Sequence, residues 1–295
     1  MHTKLAKEDR VVTIAVYVFL SVVLVAVAYP LYFVVIASIS DPTMVPLGRV
    51  WIIPRDITFE GYQRIFTHEE ILTGYRNSLM YTVVGTFVNL AVTLTAAYSL
   101  SRSDLVGRNI ITFIFAFTMF FSGGIIPLFL IVRGLGLYDT FSAMILPVAL
   151  SVWNLIIART FFQSTIPKEL LDSAKVDGCT DFRFFWSIVL PLSSAIIAVL
   201  LIFYAVGHWN RFFQALMFLR SRDRFPLQLI LREILIQNQF SEEMIVDDAS
   251  ADLAAMLGES IKYGIIIVAS VPVLILYPWV QKHYVRGIMI GAIKG

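Results

Sequence analysis

The chain has 295 residues, 58% of them hydrophobic, with a mean hydropathy of +0.78 and a formal charge of only +2. That is far more apolar surface than a soluble domain of this length can bury, so a bilayer must act as its solvent, and no nucleic-acid partner is expected. The single cysteine, Cys179, excludes an intrachain disulfide framework and any Cys-rich metal site.

Lys4, Lys7 and Arg10 precede the first apolar stretch, which is too long for a secretion signal and lacks a small-residue cleavage site; it reads as a retained transmembrane helix. A spanning helix needs about 20 predominantly apolar residues. Six stretches come near that length: 11–39, 77–100, 110–132, 141–163, 189–218 and 261–281. The fourth carries Arg159 and the fifth His208 and Arg211, which blurs their ends. With six spans both termini share a side. Placing them inside gives 12 Lys/Arg against 7 Asp/Glu in the inside segments, and 11 against 14 outside. The outside segments are longer and acid-rich, so the density of positive charge favours cytoplasmic termini. Tyr29, Tyr32, Trp51, Tyr75, Tyr81, Tyr138, Tyr263, Tyr277, Trp279 and Tyr284 gather near the proposed span ends, where amphipathic rings favour the headgroup layer.

The inside loop from Gln163 to Leu190 is too long for a minimal helix connection. Within it, IPKELLDSAKVDG reads as a short helix: Pro167 suits the first turn, Glu169 complements the dipole and Gly178 ends it. A second run, DFRFFWSIVLP, leads into the next span. Leu170, Leu171, Ala174 and Val176, extended by Phe182, Phe185 and Trp186, form an apolar side that calls for a partner surface.

Asp172, Ser173 and Ala174, then Asp177 and Gly178, then Ile188, Leu190 and Pro191 resemble the EAA motif of binding-protein-dependent ATP-binding-cassette importer permeases. That motif is written EAA, three residues, G, nine residues, I-x-LP, and the spacing fits throughout. Asp172 stands for the usual glutamate and Ser173 for an alanine. Trp51 to Pro54 with ITFEGYQRIF, then YRNSLMYTVVGT, AAYSLSR, FSGGIIPLFL and GIMIGAIKG are similar to carbohydrate permeases, closest to the second permease of alginate-type and oligosaccharide importers.

The resemblance implies an all-α membrane protein of six transmembrane helices, with a MetI-like permease core and a cytoplasmic coupling helix. Residues 1–75 would hold the N-terminal tail, first transmembrane helix and outer loop, 76–281 a five-helix core with the coupling loop at 163–191, and 282–295 a cytoplasmic tail. It implies that Asp172 to Pro191 dock into a cleft on an ATP-binding subunit, with Ser173 and Ala174 allowing close approach, Gly178 the turn, and Phe182 and Phe185 the socket-filling contact. It further implies a second permease (a distinct paralogue), two ATP-binding subunits carrying ATP and Mg, an extracellular sugar-binding protein, and a bacterial plasma membrane. No cofactor is expected on this chain.

A sugar path needs aromatic faces interleaved with amides. Trp153 and Asn154 in the fourth span, and His208, Trp209, Asn210 and Gln214 in the fifth, offer that chemistry in spans flanking the coupling loop. For Asn89, Asn154 and Asn210 two readings stand open, a cargo contact and an interhelical hydrogen bond. His208 and Arg211 are expected to snorkel near the outer interface. Asn77 and Ser78 suit a helix cap, and Gly123, Gly124 and Pro127 a bend. The segment from Arg220 to Glu259 turns from basic to acidic (Glu242, Glu243, Asp247, Asp248, Asp252); it is either a contact for the solute-binding protein or a solvated loop. Lys282, His283, Arg286 and Lys294 suit anionic headgroups.

The sequence holds no Gly-x-x-x-x-Gly-Lys-Ser/Thr loop, so ATP must be bound elsewhere, and no His-Glu-x-x-His pair or Gly-x-Ser-x-Gly elbow. An intramembrane enzyme would lack a nucleophile or ligand set. A secondary transporter would show repeats or carboxylates inside a span, neither of which is evident, and would have no use for the coupling loop. That transporter, and an importer of non-sugar cargo, are the competing readings.

Overall fold

The computed structural model describes residues 7–244 and 261–278, and among them every regular element is helical. The acidic positions Asp247, Asp248 and Asp252, with Trp279, Tyr284 and the basic tail, lie outside the described residues. Among the described residues, three helices are long and apolar enough to cross a membrane unbroken: Arg10–Ser38, Glu69–Ser101 and Ile261–Pro278. Three further spans are bent pairs: α4 (Arg108–Phe120) with α5 (Ile125–Gly134) at 115°, Phe141–Val148 with Val152–Thr165 at 51°, and Asp181–Leu192 with Ser194–Trp209 at 81°. The six expected spans are reached only when each bent pair counts as one. Each break has a local cause. Gly124 sits at φ +85, ψ −178, a backbone state open to glycine and costly for other residues. Pro147 lies in the short turns before Ser151, whose hydroxyl caps the next helix by accepting the Asn154 N–H at 3.4 Å. The third break follows Pro191, which lacks an N–H; the stretch expected at 189–218 is therefore divided, its main helix beginning at Ser194.

Two compact units are described separately. The first comprises, of the described residues, 7–68, 233–244 and 261–270. Here α1 (Lys7–Ser38) ends where the Tyr62 hydroxyl of α2 (Glu60–Thr67) donates to Ser38 Oγ at 2.8 Å. Between them the Thr58 N–H donates to Ile39 O, and the Asp41 N–H to Arg55 O, both at 3.0 Å. A side chain added at Gly264 would stand 2.8 Å from Ile65 of α2, so that close approach depends on glycine.

The second unit comprises, of the described residues, 69–232 and 271–278. Its axis is α3 (Glu69–Ser101), which packs chiefly against α10 (Ser194–Trp209) and α6 (Val152–Thr165). Along one face of α3 run buried Ser78, Thr82, Thr86, Asn89 and Thr93, spaced three or four residues apart as one helical stripe requires. Ser78 Oγ accepts the Leu227 N–H at 2.8 Å, and Thr93 and Tyr204 share a 2.6 Å hydroxyl contact. Polar seams of this kind hold membrane helices together at about 0.6 kcal/mol per bond on average. Asn77, expected as a cap, instead donates to the carbonyls of Asp223 and Phe225 at 2.8 and 3.1 Å.

Outside the spans, Asp139 (φ +57) anchors a second crossing of the chain. Its carboxylate accepts the N–H groups of Arg220 and Ser221, both at 3.0 Å, and the Ser221 hydroxyl at 2.5 Å. Burial alone would raise its pKa. The Ser221 and backbone donors, helped by Arg224, outweigh that effect and hold it down at about 2.

Candidate functional site

The coupling-loop sequence folds as its punctuation demands. Pro167, in extended conformation, precedes α7 (Lys168–Val176), Glu169 lies in the first turn, and Asp177 ends the helix. Beyond it the Gly178 N–H reaches Lys175 O at 3.0 Å and the Cys179 N–H reaches Ala174 O at 2.9 Å. That is the paired closure of a helix terminated by a left-handed residue, and Gly178 has φ +73. Thr180 then caps α8 (Asp181–Phe184), its hydroxyl accepting the Arg183 N–H at 3.3 Å. The chain widens into a π turn over Phe185–Val189 and passes through the short α9 (Leu190–Leu192) into α10.

The loop has two faces. Leu170 and Leu171 pack on, and Ala174, Phe184, Phe185 and Val189 belong to, the main core formed with Tyr98, Leu155, Phe162, Leu200 and Tyr204. Asp172, Ser173, Asp177 and Gly178 are exposed, and so are Val176 (88%), Phe182 (74%) and Trp186 (55%). The expected continuous apolar side is therefore split. Phe185, expected as a socket-filling contact, is buried with its ring 5.1 Å from that of Tyr98, so it supports the loop from within. Ile188 and Leu190 are half-buried on the same core, and Pro191 is exposed. Between α7 and the ends of α3 and α6 lies a cleft of about 770 Å³ bordered by Tyr98, Arg102, Phe162, Leu171, Asp172 and Lys175.

Arg102 and Asp104, beside this cleft, were not singled out from the sequence. Arg102 forks onto both oxygens of Asp104 and reaches Asp181 Oδ1 at 2.5 Å. The guanidinium, with a smaller contribution from Lys175, holds the Asp104 carboxyl down at about 2 despite partial desolvation. Residues 102 and 181 are 79 apart in sequence, and nothing in local spacing announces the pair.

The proposed sugar-path residues do not form one surface. Trp153 is 61% exposed and Asn210 is exposed, whereas Asn154, Trp209 and Gln214 are buried. Trp209 meets Tyr75 edge-on at 5.4 Å. Both ends of the Gln214 amide are engaged: Nε2 donates to Ala143 O at 2.7 Å, and Oε1 accepts from Arg211 Nη1 at 2.9 Å. Arg211 is half-buried in that contact, and His208 is only 3% exposed, so neither snorkels. Gln214 holds Arg211, and for His208 the reason is Asn89: its Nδ2 donates to Val148 O at 2.6 Å, and its Oδ1 lies 2.6 Å from His208 Nε2. For Asn89 the interhelical reading holds.

Residues 89–290 match the family described as binding-protein-dependent transport system inner membrane component. The chain is 38% identical to "Protein LplC" of Bacillus subtilis, over 100% of this chain and 98% of that protein. It is also 38% identical to the polygalacturonan/rhamnogalacturonan transport system permease protein YtcP of the same organism, over 98% and 100%. A crystal structure of a bacterial ABC transporter involved in the import of the acidic polysaccharide alginate contains a chain that superposes with a TM-score of 0.87 at 32% identity, covering 96% of this chain and 100% of that one. The chain thus belongs to the binding-protein-dependent transport system inner membrane components, as a non-catalytic, multi-pass permease subunit that works with a partner permease, an ATPase and a binding protein.

Proposed function

We propose that this permease admits an oligo- or polysaccharide, delivered by an extracellular binding protein, and is driven through the loop Asp172–Pro191 by ATP hydrolysis on its partners. The carrying observation is the two-faced loop: its inner side is part of the core on which α3, α6 and α10 meet, while Asp172, Ser173, Val176, Asp177, Gly178, Phe182 and Trp186 stand free. An exposed Phe and Trp beside a helix end are a surface built to be covered. The sugar reading is supported by relatives and a structural neighbour whose names specify polygalacturonan, rhamnogalacturonan, arabinooligosaccharides and alginate.

In this reading two ATP-binding subunits hold ATP and Mg, and this chain holds neither. Closure of the ATPase pair pushes the docked loop, the motion enters the core through Ala174, Phe184 and Phe185, and the cavity shared with a second, distinct permease opens outward to take the sugar. Hydrolysis resets it. Trp153, Asn154, Trp209, Asn210 and Gln214 are the path candidates on this chain, of which Trp153 and Asn210 are exposed enough to meet cargo directly. Both termini lie in the cytoplasm, as the charge distribution favours.

The test is co-purification of this chain with its partner subunits, followed by ATPase assay with and without binding protein and candidate oligosaccharides. Hydrolysis that rises with loaded binding protein supports the reading and identifies the sugar. Transport in vesicles without ATP, responding to an ion gradient, overturns it in favour of a secondary transporter.

A further inference from the structure

We infer that Arg102 is a positioning residue for energy coupling, which with Asp104 fastens both arms of the coupling loop to the end of α3. This rests on the coupling-loop reading. The helix α3 ends at Ser101, so the Arg102 cation stands at the carbonyl end of a long helix, where positive charge is favoured. From there Nε donates to Asp104 Oδ1 at 2.8 Å, Nη2 donates to the other Asp104 oxygen, and Nη1 donates to Asp181 Oδ1 at 2.5 Å. Asp181 opens the second arm of the loop. The first arm is reached through Lys175 of α7, whose Nζ lies 3.9 Å from Asp104 Oδ2.

The Arg102 side chain is only 15% exposed, while Asp104 and Asp181 are 51% and 62% exposed. A shielded, planar guanidinium thus gathers two more exposed carboxylates, a geometry that lysine cannot reproduce. The backbone behind it is held as well: Arg108 Nη1 donates to Arg102 O at 3.2 Å, and Arg159 Nε of α6 to Leu100 O at 3.0 Å.

The mechanical consequence follows from the cleft of about 770 Å³, which separates the Tyr98–Asp104 wall from Leu171, Asp172 and Lys175 of α7. A push on α7 can be absorbed by closing this space. The Arg102–Asp104–Asp181 bridge crosses beside it and passes the displacement to α3, which carries the interfaces with α6 and α10. Apolar contacts of Tyr98 with Phe185 can slide; a fork onto two carboxylates has a fixed register.

The experiment uses the assembled complex in lipid nanodiscs and vesicles, and reads the ratio of binding-protein-stimulated to unstimulated ATPase, sugar carried per ATP, and subunit stoichiometry. Arg102→Gln and, separately, Asp181→Asn are expected to assemble and to lower the stimulation ratio by at least roughly fivefold, the lower end of typical couplings between sites. Arg102→Lys should fall between them and wild type, and the double variant should be no worse than Arg102→Gln alone. A wild-type ratio in both single variants overturns the inference. Should Arg102→Gln fail to assemble, the exposed Asp181→Asn decides, and a normal ratio there overturns it equally. A wild-type complex with no stimulation sinks the coupling-loop reading and this inference together; a stimulated wild type with unaffected variants sinks this inference alone.

Discussion

Gly85 of α3 is the point at which a single methyl group tests the polar seam. A Cβ built there would stand 2.5 Å from both Cε1 and Nε2 of His208, and 2.8 Å from Nδ1. The imidazole must move, and its 2.6 Å contact with Asn89 Oδ1 goes with it. Overpacking costs about 1–3 kcal/mol. A lost interhelical hydrogen bond in a membrane adds roughly 0.6–1.7 kcal/mol. Against these, replacing glycine by alanine inside a helix returns about 1 kcal/mol. The clash wins, and Gly85→Ala should destabilise the protein by about 1–4 kcal/mol, lowering the thermal midpoint of the purified chain by several degrees. His208→Ala removes the obstacle, so in that background Gly85→Ala should be neutral or stabilising, a coupling that a double-mutant cycle reads directly. Equal losses from Gly85→Ala with and without His208 would refute the assignment of His208 to this packing.

Two further outcomes follow from the loops. Because the Asp139 pKa is depressed from 3.8 to about 2, its contribution to stability is fully present above about pH 4 and is lost as pH falls towards 2. Asp139→Ala should cost about 1–3 kcal/mol near neutrality, and should flatten the fall in thermal midpoint between about pH 4 and 2; an unchanged pH profile counts against the anchor. Gly178 has φ +73 with open space around it, so Gly178→Ala should cost only about 1–2 kcal/mol of backbone strain. A bulky residue there should leave membrane insertion intact while uncoupling transport from ATPase, and normal sugar carried per ATP would contradict the docking role.

What the sequence made legible was local. Hydropathy located the apolar stretches because each is decided within its own window, but three of the six fold as bent pairs and the stretch expected at 189–218 is divided after Pro191. Pro167, Glu169 and Gly178 bounded α7 because caps act over one turn. Gly123, Gly124 and Pro127 gave the bend, although not its 115°. The register of the second arm was not legible: a π turn over Phe185–Val189 adds a residue to the repeat, and Phe185 turns inward while its neighbour Trp186 stays exposed. Pairings across the chain were equally hidden. His208 looked like a snorkelling residue until Asn89, 119 positions away, was found to hold it, and Arg102 carried no sign of Asp181.

Two tryptophans of the expected sugar path, Trp153 and Trp209, sit in opposite surroundings. Trp209 is 3% exposed and edge-on to Tyr75, so Trp209→Ala leaves a cavity and should cost about 3–5 kcal/mol. Its effect on uptake would then track loss of folded protein. Trp153 is 61% exposed in the first turn of α6, and Trp153→Ala should change the stability of this chain by no more than about 0.5 kcal/mol. Any fall in uptake at normal abundance therefore reports a contact outside the chain. If complex stoichiometry is intact and the concentration of loaded binding protein giving half-maximal uptake is unchanged while the maximal rate falls, that contact is with the sugar in passage. If the complex dissociates, Trp153 faces the partner permease. Normal uptake and assembly together remove Trp153 from the path, and leave Asn210 as the exposed amide there.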